Sequence, residues 1–204
     1  MVGELGEALI DNLHISSPTR WPGLYSLGQT LLQNGDIRIW MRDPAMQQKI
    51  AAQKWDGAVR PGTSDFLMIV DANLAALKTD PVVRRSARYG VALENNQAVA
   101  KLTLRYEHHG SFTWKTTRYR SYTRVLVPRG SRLMRAEGSN KPWDREDTQD
   151  YTSLGTFFQI EPGTTRELIL TYELPQYILD QMNHGTYNLV IQRQPGVTRN
   201  LEVV

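Results

Sequence analysis

Two periodicities divide the chain. Up to about residue 60, apolar side chains recur at helical spacing; from Pro61–Gly62 onward they alternate with period two. Between the regimes lies a continuous apolar run, Phe66-Leu67-Met68-Ile69-Val70, closed by Asp71-Ala72-Asn73. Bounded by turn residues, it predicts a strand buried on both faces, the expected central strand of the fold. On the N-terminal side, Leu5, Ala8, Leu9 and Leu13 predict a helix over residues 4–14. Ser17–Pro18 carries a helix-start signal, and a second helix is expected from near Gly23 to Gln33, stopped by Asn34–Gly35. Ile37, Ile39 and Met41 alternate with Arg38 and Trp40, which predicts a strand over 36–41. Asp43–Pro44 opens a helix whose apolar face is Met46, Ile50 and Ala51.

After the apolar run, Asp80–Pro81 predicts a short turn or helix ending near Ala87. Tyr89, Val91 and Leu93 alternate up to a hairpin turn at Glu94–Gln97, and Ala98, Ala100, Leu102, Leu104 and Tyr106 alternate after it. Strands are expected over 118–128, 156–160, 166–174, 187–193 and 201–204, and a long aperiodic polar loop over 137–153. Glu161-Pro162-Gly163-Thr164 suits a type II turn, with glycine where positive φ is required. Together these elements predict a mainly β protein with an α+β N-terminal part: an antiparallel, Ig-like β-sandwich flanked by two or three helices. The expected division is residues 1–60 as a helical or mixed segment, the end of a larger domain, and residues 61–204 as the β-sandwich.

Composition narrows the function classes. The net charge of +3 arises from 24 basic and 21 acidic residues, too balanced a mixture to argue for nucleic acid as a partner. The absence of cysteine excludes disulfides, thiolate zinc sites and cysteine nucleophiles. No apolar run approaches the ~20 residues of a membrane-spanning helix, and MVGELGEALIDNL lacks the basic start and apolar core of a signal peptide. There is no Gly-x-Ser-x-Gly, His-Glu-x-x-His, phosphate-binding glycine loop or dinucleotide fingerprint, so no cofactor and no catalytic residue is expected.

Two groups of residues are candidates for binding. Asp71, Asn73, Lys78 and Asp80 gather where the buried strand meets solvent; the carboxylate and amide suit a cation, and Lys78 a phosphate or carboxylate. The plainer reading has Asp71 and Asn73 bonding turn amides and Lys78 pairing with an acid. Arg118, Arg120, Tyr122 and Arg124 share one strand face by parity, a pattern able to hold a polyanion or sugar phosphate, with Trp114 and Tyr119 close in sequence. The plainer reading here is an exposed sheet face whose arginines pair with acids on adjoining strands. His108–His109 sits at an expected turn without a third metal ligand. Asp144, Glu146, Asp147 and Asp150 resemble a calcium loop in composition only, lacking its ligand alternation and central glycine. No metal site is assigned.

An ordered set of segments carries a family resemblance: Val70-Asp71-Ala72-Asn73 followed by Lys78, Arg84 or Arg85, and Tyr89; Tyr119 to Pro128 with Gly130–Ser131; Glu161-Pro162-Gly163; and Gln192-Arg193-Gln194-Pro195-Gly196. With Asp36 to Trp55, these make the chain similar to the C-terminal half of the bacterial domain-of-unknown-function 4012 proteins. The resemblance implies an extracytoplasmic location, at the cell surface or in a periplasm-like space, and a membrane anchor in the parent protein, with Met1 beginning a fragment or a shortened member. It supplies no catalytic residue. The expected function is a cell-envelope module binding a glycan, an anionic cell-wall polymer or a partner protein without catalysis. The alternative is an envelope enzyme acting on a phosphate-linked polymer through Asp71, Lys78 and nearby arginines, an argument by analogy alone.

Overall fold

The computed structural model describes residues 7, 20–75 and 77–204. The expected helix over 4–14, apart from Glu7, and the Ser17–Pro18 start lie outside them. The chain divides into two compact units meeting in sequence at Ala58–Val59.

In the first unit, helix α1 spans Trp21–Asn34. Pro22 sits in its first turn, and Gly35 ends it with φ +79°, its N–H bonding back to the Leu32 carbonyl at 3.1 Å. Helix α2 spans Pro44–Ala52. Its start is the expected one: the Asp43 carboxylate accepts the Met46 N–H at 2.8 Å. The strand expected over 36–41 does not form. Asp36 and Ile37 bend back, their N–H groups bonding the Leu31 carbonyl, the Ile39 N–H bonds the Trp55 carbonyl at 2.9 Å, and Ile37, Trp40 and Met41 are exposed. Alternation alone makes no strand where no second strand supplies a ladder.

The second unit is mostly β. Its strands are β1 (Asp65–Asn73), β2 (Val83–Glu94), β3 (Gln97–His108), β4 (Tyr119–Pro128), β5 (Arg132–Glu137), β6 (Asp144–Asp147), β7 (Tyr151–Ile160), β8 (Thr165–Glu173), β9 (Leu189–Gln192) and β10 (Asn200–Val203). A third helix, α3, spans Gln176–Asn183 and buries Ile178 and Leu179. Two five-stranded sheets result, β6-β7-β4-β1-β9 and β10-β2-β3-β8-β5. Most strand pairs are antiparallel, as expected, but both sheets are mixed: β9 pairs with β1, and β10 with β2, in parallel. The centre of the first sheet is β4; β1 lies beside the edge strand β9.

Three local expectations hold. Asn95 and Asn96 both take positive φ, 48° and 59°, as a two-residue hairpin turn between β2 and β3 requires. Gly163 has φ +76° in the turn before β8. In the apolar run Phe66–Val70, Phe66 to Ile69 are buried and Val70 is half-buried. The polar loop expected over 137–153 instead contains β6 and the start of β7. All four β6 residues are exposed, so this edge strand is held by backbone pairing and carries no apolar pattern to read.

The inner faces of the two sheets share one apolar cluster. Leu67, Ile69, Val125, Leu154 and Phe158 of the first meet Tyr89, Leu102, Leu104, Tyr106, Leu168 and Leu170 of the second. The Tyr106 and Phe158 rings pack with centroids 4.6 Å apart. On the other face of β1, Phe66 and Met68 cluster with Leu126, against Val59, Val70 and Tyr151. That second cluster is why the run is apolar at consecutive positions.

Candidate functional site

Parity along β1 places Asp65, Leu67, Ile69 and Asp71 on the inner face, a carboxylate at each end of an apolar row. Asp71 is the better anchored. Its Oδ1 accepts from the Tyr106 hydroxyl at 2.9 Å and the Thr123 hydroxyl at 2.6 Å. Its Oδ2 accepts from Arg85 Nε at 3.2 Å and from Arg199 Nη2. The Asp71 side chain is 1% exposed and those of the two arginines 5% and 9%. All four lone-pair positions are engaged and the charge is met by two guanidiniums, so no acceptor faces a cation or substrate. Burial and the neighbouring Asp71 push the Tyr106 hydroxyl well above the usual phenol range, keeping it a donor.

The network runs outward from there. Arg85 Nη2 bonds Asp80 Oδ1 at 2.6 Å and the Tyr119 hydroxyl at 2.9 Å. Asn73 Nδ2 donates to Asp80 Oδ2 at 2.8 Å, while Asn73 Oδ1 accepts the Ala75 N–H at 2.9 Å. Asn73 thus closes a turn, as the plainer reading had it. Asp71 does not; it is the hub of a buried ion network. Lys78 lies outside this network, exposed on the following loop, with its backbone N–H on the Lys115 carbonyl at 2.9 Å. Arg85 takes the acids because its planar fork reaches two carboxylates at once.

Sequence reasoning missed Arg85, Arg199, Tyr106 and Thr123 as partners. One signal was present: Arg85 falls in parity with Val83, Ala87 and Tyr89, so a cation was placed among core residues. Arg199 carried no such signal, since it lies in the connection between β9 and β10. Gln194, in the same connection, accepts the Asp71 N–H at 2.7 Å and donates to the Asp71 carbonyl at 2.9 Å. Its side chain continues the ladder where β9 ends.

Asp65 was also missed. It is fully buried and accepts from the Tyr89 hydroxyl at 2.6 Å, the Tyr187 hydroxyl at 2.5 Å and the Phe66 N–H at 2.7 Å. Burial pushes its carboxyl up, and those hydrogen bonds pull it only partly back.

The β4 residues behave differently. Tyr119, Ser121, Thr123 and Val125 point inward, leaving Arg120, Tyr122 and Arg124 on the outer face of the first sheet. Register places Ala72 and Phe157 beside Tyr122, and Val70 and Gly155 beside Arg124. The two candidate groups therefore lie on opposite faces of one sheet and make no common site. Arg118, before the strand, pairs with Glu161 at 3.1 Å. Arg120 and Arg124 are exposed and, among the described residues, pair with no carboxylate. Tyr122 lies over Gly155, where a Cβ would collide with its ring and hydroxyl, and that hydroxyl reaches Asp144 on β6 at 3.5 Å.

The histidines are not a pair. His108 is buried, its Nε2 on the Thr117 carbonyl at 2.8 Å and its Nδ1 accepting the Gly110 N–H at 3.1 Å. His109 is exposed beside Glu107. Asp144, Glu146 and Asp147 sit on an exposed strand; Asp147 pairs with Arg145 at 2.8 Å. Among the described residues no three metal-ligating side chains converge.

No family model and no curated protein matches the chain. Among solved structures, it is similar to a "putative nutrient binding protein" from Legionella pneumophila at TM-score 0.35 and 7% identity, over 53% of this chain and 43% of that one. It is also similar to an M1 zinc metallopeptidase from Deinococcus radiodurans at TM-score 0.21 and 16% identity, over 45% of this chain and 19% of that one. Likeness at these scores carries no function across.

Proposed function

We propose that residues 59–204 form an Ig-like β-sandwich acting as a non-catalytic, extracytoplasmic binding module of the bacterial cell envelope. Its ligand is an anionic glycan or cell-wall polymer, held on the outer face of the first sheet by Arg120, Tyr122 and Arg124. Location rests on the resemblance to the domain-of-unknown-function 4012 proteins. Ligand class rests on one observation: two exposed arginines without carboxylate partners flank a tyrosine above the small side of Gly155. Arg105, exposed on a face of the second sheet, does find its acids, Glu107 and Glu167, at 2.9 and 3.0 Å. Tyr122 offers a ring for a sugar to stack on, and the guanidiniums offer forked donors to phosphate or carboxylate. Beyond Gly155, Asp144 and Glu146 supply acceptors for hydroxyls, which favours a glycan carrying both charge and hydroxyl groups over a bare polyanion.

The enzyme alternative has less support. Asp71 is saturated by its partners, and Lys78 stands outside the network that holds it.

The test is calorimetric titration of the full chain and its Arg120→Ala/Arg124→Ala variant with polyglycerol phosphate and with a neutral glycan. The expected result is a preference for the anionic ligand, weakened by salt and by roughly tenfold or more in the variant, as two partly exposed charged contacts allow. Equal affinities of both proteins, or no binding at low salt, would sink the reading.

A further inference from the structure

One end of the second unit carries an exposed apolar tip made of two loops. The first follows β1 and presents Leu74 and Leu77, 57% and 39% exposed. The second precedes β4 and presents Phe112 and Trp114, 61% and 82% exposed. The loops are tied together: the Lys78 N–H bonds the Lys115 carbonyl at 2.9 Å, the Thr117 N–H the Thr79 hydroxyl at 3.3 Å, and the Leu74 N–H the Arg120 carbonyl at 2.8 Å.

The second loop is also braced from within. Thr113 Oγ1 accepts the Lys115 and Thr116 N–H groups at 3.1 and 3.0 Å, the Thr113 N–H bonds the Thr116 carbonyl at 2.8 Å, and the Thr116 hydroxyl bonds the Ser111 carbonyl at 2.7 Å. Trp114 and Phe112 are therefore held out in water by a built turn. Water-exposed rings of this size are unfavourable unless something else covers them.

Charge indicates what covers them. Residues 74–79 and 108–118 contain no Asp or Glu. The nearest acids in sequence are engaged: Asp80 by Arg85 and Asn73, Glu107 by Arg105. Lys78 and Lys115 remain, the Lys115 ammonium lying 4.7 Å from the Trp114 ring centre. A tryptophan with aliphatic and phenyl side chains and two lysines, on loops whose adjoining acids are already paired (Glu107 with Arg105 and His109, Glu161 with Arg118), has the chemistry of the lipid–water interface, where indole rings settle at headgroup level and lysines meet anionic headgroups.

We propose that this tip docks on an anionic bilayer surface, with Trp114, Phe112, Leu74 and Leu77 entering the headgroup layer and Lys78 and Lys115 contacting the lipid charge. The contact is distinct from Arg124, which lies further along β4, whereas Arg120 adjoins the tip through its carbonyl on the Leu74 N–H.

The experiment is co-sedimentation of the full chain with vesicles of equimolar phosphatidylcholine and phosphatidylglycerol, and with phosphatidylcholine alone. The wild type is expected to pellet with the anionic vesicles, and less so as salt is raised. Trp114→Ala should weaken binding at least roughly tenfold from the lost ring burial. Lys78→Ala and Lys115→Ala should each weaken it about fivefold at low salt. Thermal melts should be unchanged, since these side chains are exposed. The Arg124→Ala variant should sediment as the wild type does, which separates this contact from the proposed glycan site. No sedimentation at low salt, or binding indifferent to Trp114→Ala, overturns the proposal. So does loss of binding in the arginine variant alone, or a Trp114 dependence seen only toward a soluble protein.

Discussion

Asp65 and Asp71 stand six positions apart on one strand face, and their surroundings give them opposite energetics. Asp71 faces two guanidiniums; Asp65, among the described residues, faces tyrosine hydroxyls and no cation. Removing Asp71 leaves Arg199 buried without its carboxylate and Arg85 with Asp80 alone, so Asp71→Ala is expected to cost about 3–5 kcal/mol in urea unfolding. For Asp65, burial raises the folded-state pKa above the unfolded value of about 3.9. A raised folded pKa contributes stability that is fully present below the unfolded pKa and is lost as pH rises through the folded one. The wild type should therefore lose stability relative to Asp65→Asn on going from pH ~4 toward neutrality. Tyr89, Tyr172 and Tyr187 stay protonated throughout this range, their phenols raised first by burial and then by their charged or hydroxyl neighbours. A wild-type-minus-variant difference that stays flat with pH would rule out a desolvated Asp65.

At the scale of elements, turns and edges decide what the strands can do. Gly138 follows β5 with φ +86°, and a Cβ there would run into the Glu167 carbonyl on β8. That obstacle is backbone, not a movable side-chain end. Gly138→Ala should cost about 1–3 kcal/mol from the strained conformation, with the loss appearing as faster hydrogen exchange in β5 and the adjoining end of β8. A variant as stable as wild type would show that the β5 edge yields easily. Gly155 is the contrasting case, because what a Cβ would meet there is the ring of Tyr122, which can swing away.

For the whole molecule, every member of the shared cluster lies in residues 59–204, as do both sheets. Residues 59–204 alone should therefore give a strand-type circular dichroism spectrum and one cooperative thermal transition. A broad, non-cooperative melt would mean that residues 1–58 are needed to complete the fold.

Much of this architecture was legible in the chain because it is local. Period two marks a half-buried strand where a neighbouring strand supplies the ladder, so β3, β4 and β8 were readable, as were the later parts of β2 and β7, the Asp43–Pro44 helix start and the Asn95–Asn96 turn; the start of β2, expected as a turn or helix ending near Ala87, was not. The run Phe66–Val70 announced burial on both faces, and parity put Arg120, Tyr122 and Arg124 on one side of one strand. Other features depend on partners distant in sequence. Residues 36–41 alternate as well as a true strand does, yet find no ladder; β6 has no apolar residue and finds one. The parallel pairing of β9 and β10 is set by how the chain returns to the sheet edges, which spacing does not encode. Asp71 was visible as a polar residue ending an apolar strand. Its role was fixed only when β2 and the connection before β10 brought Arg85 and Arg199 to its oxygens, because a buried carboxylate takes its character from the charges and hydroxyls that folding places beside it.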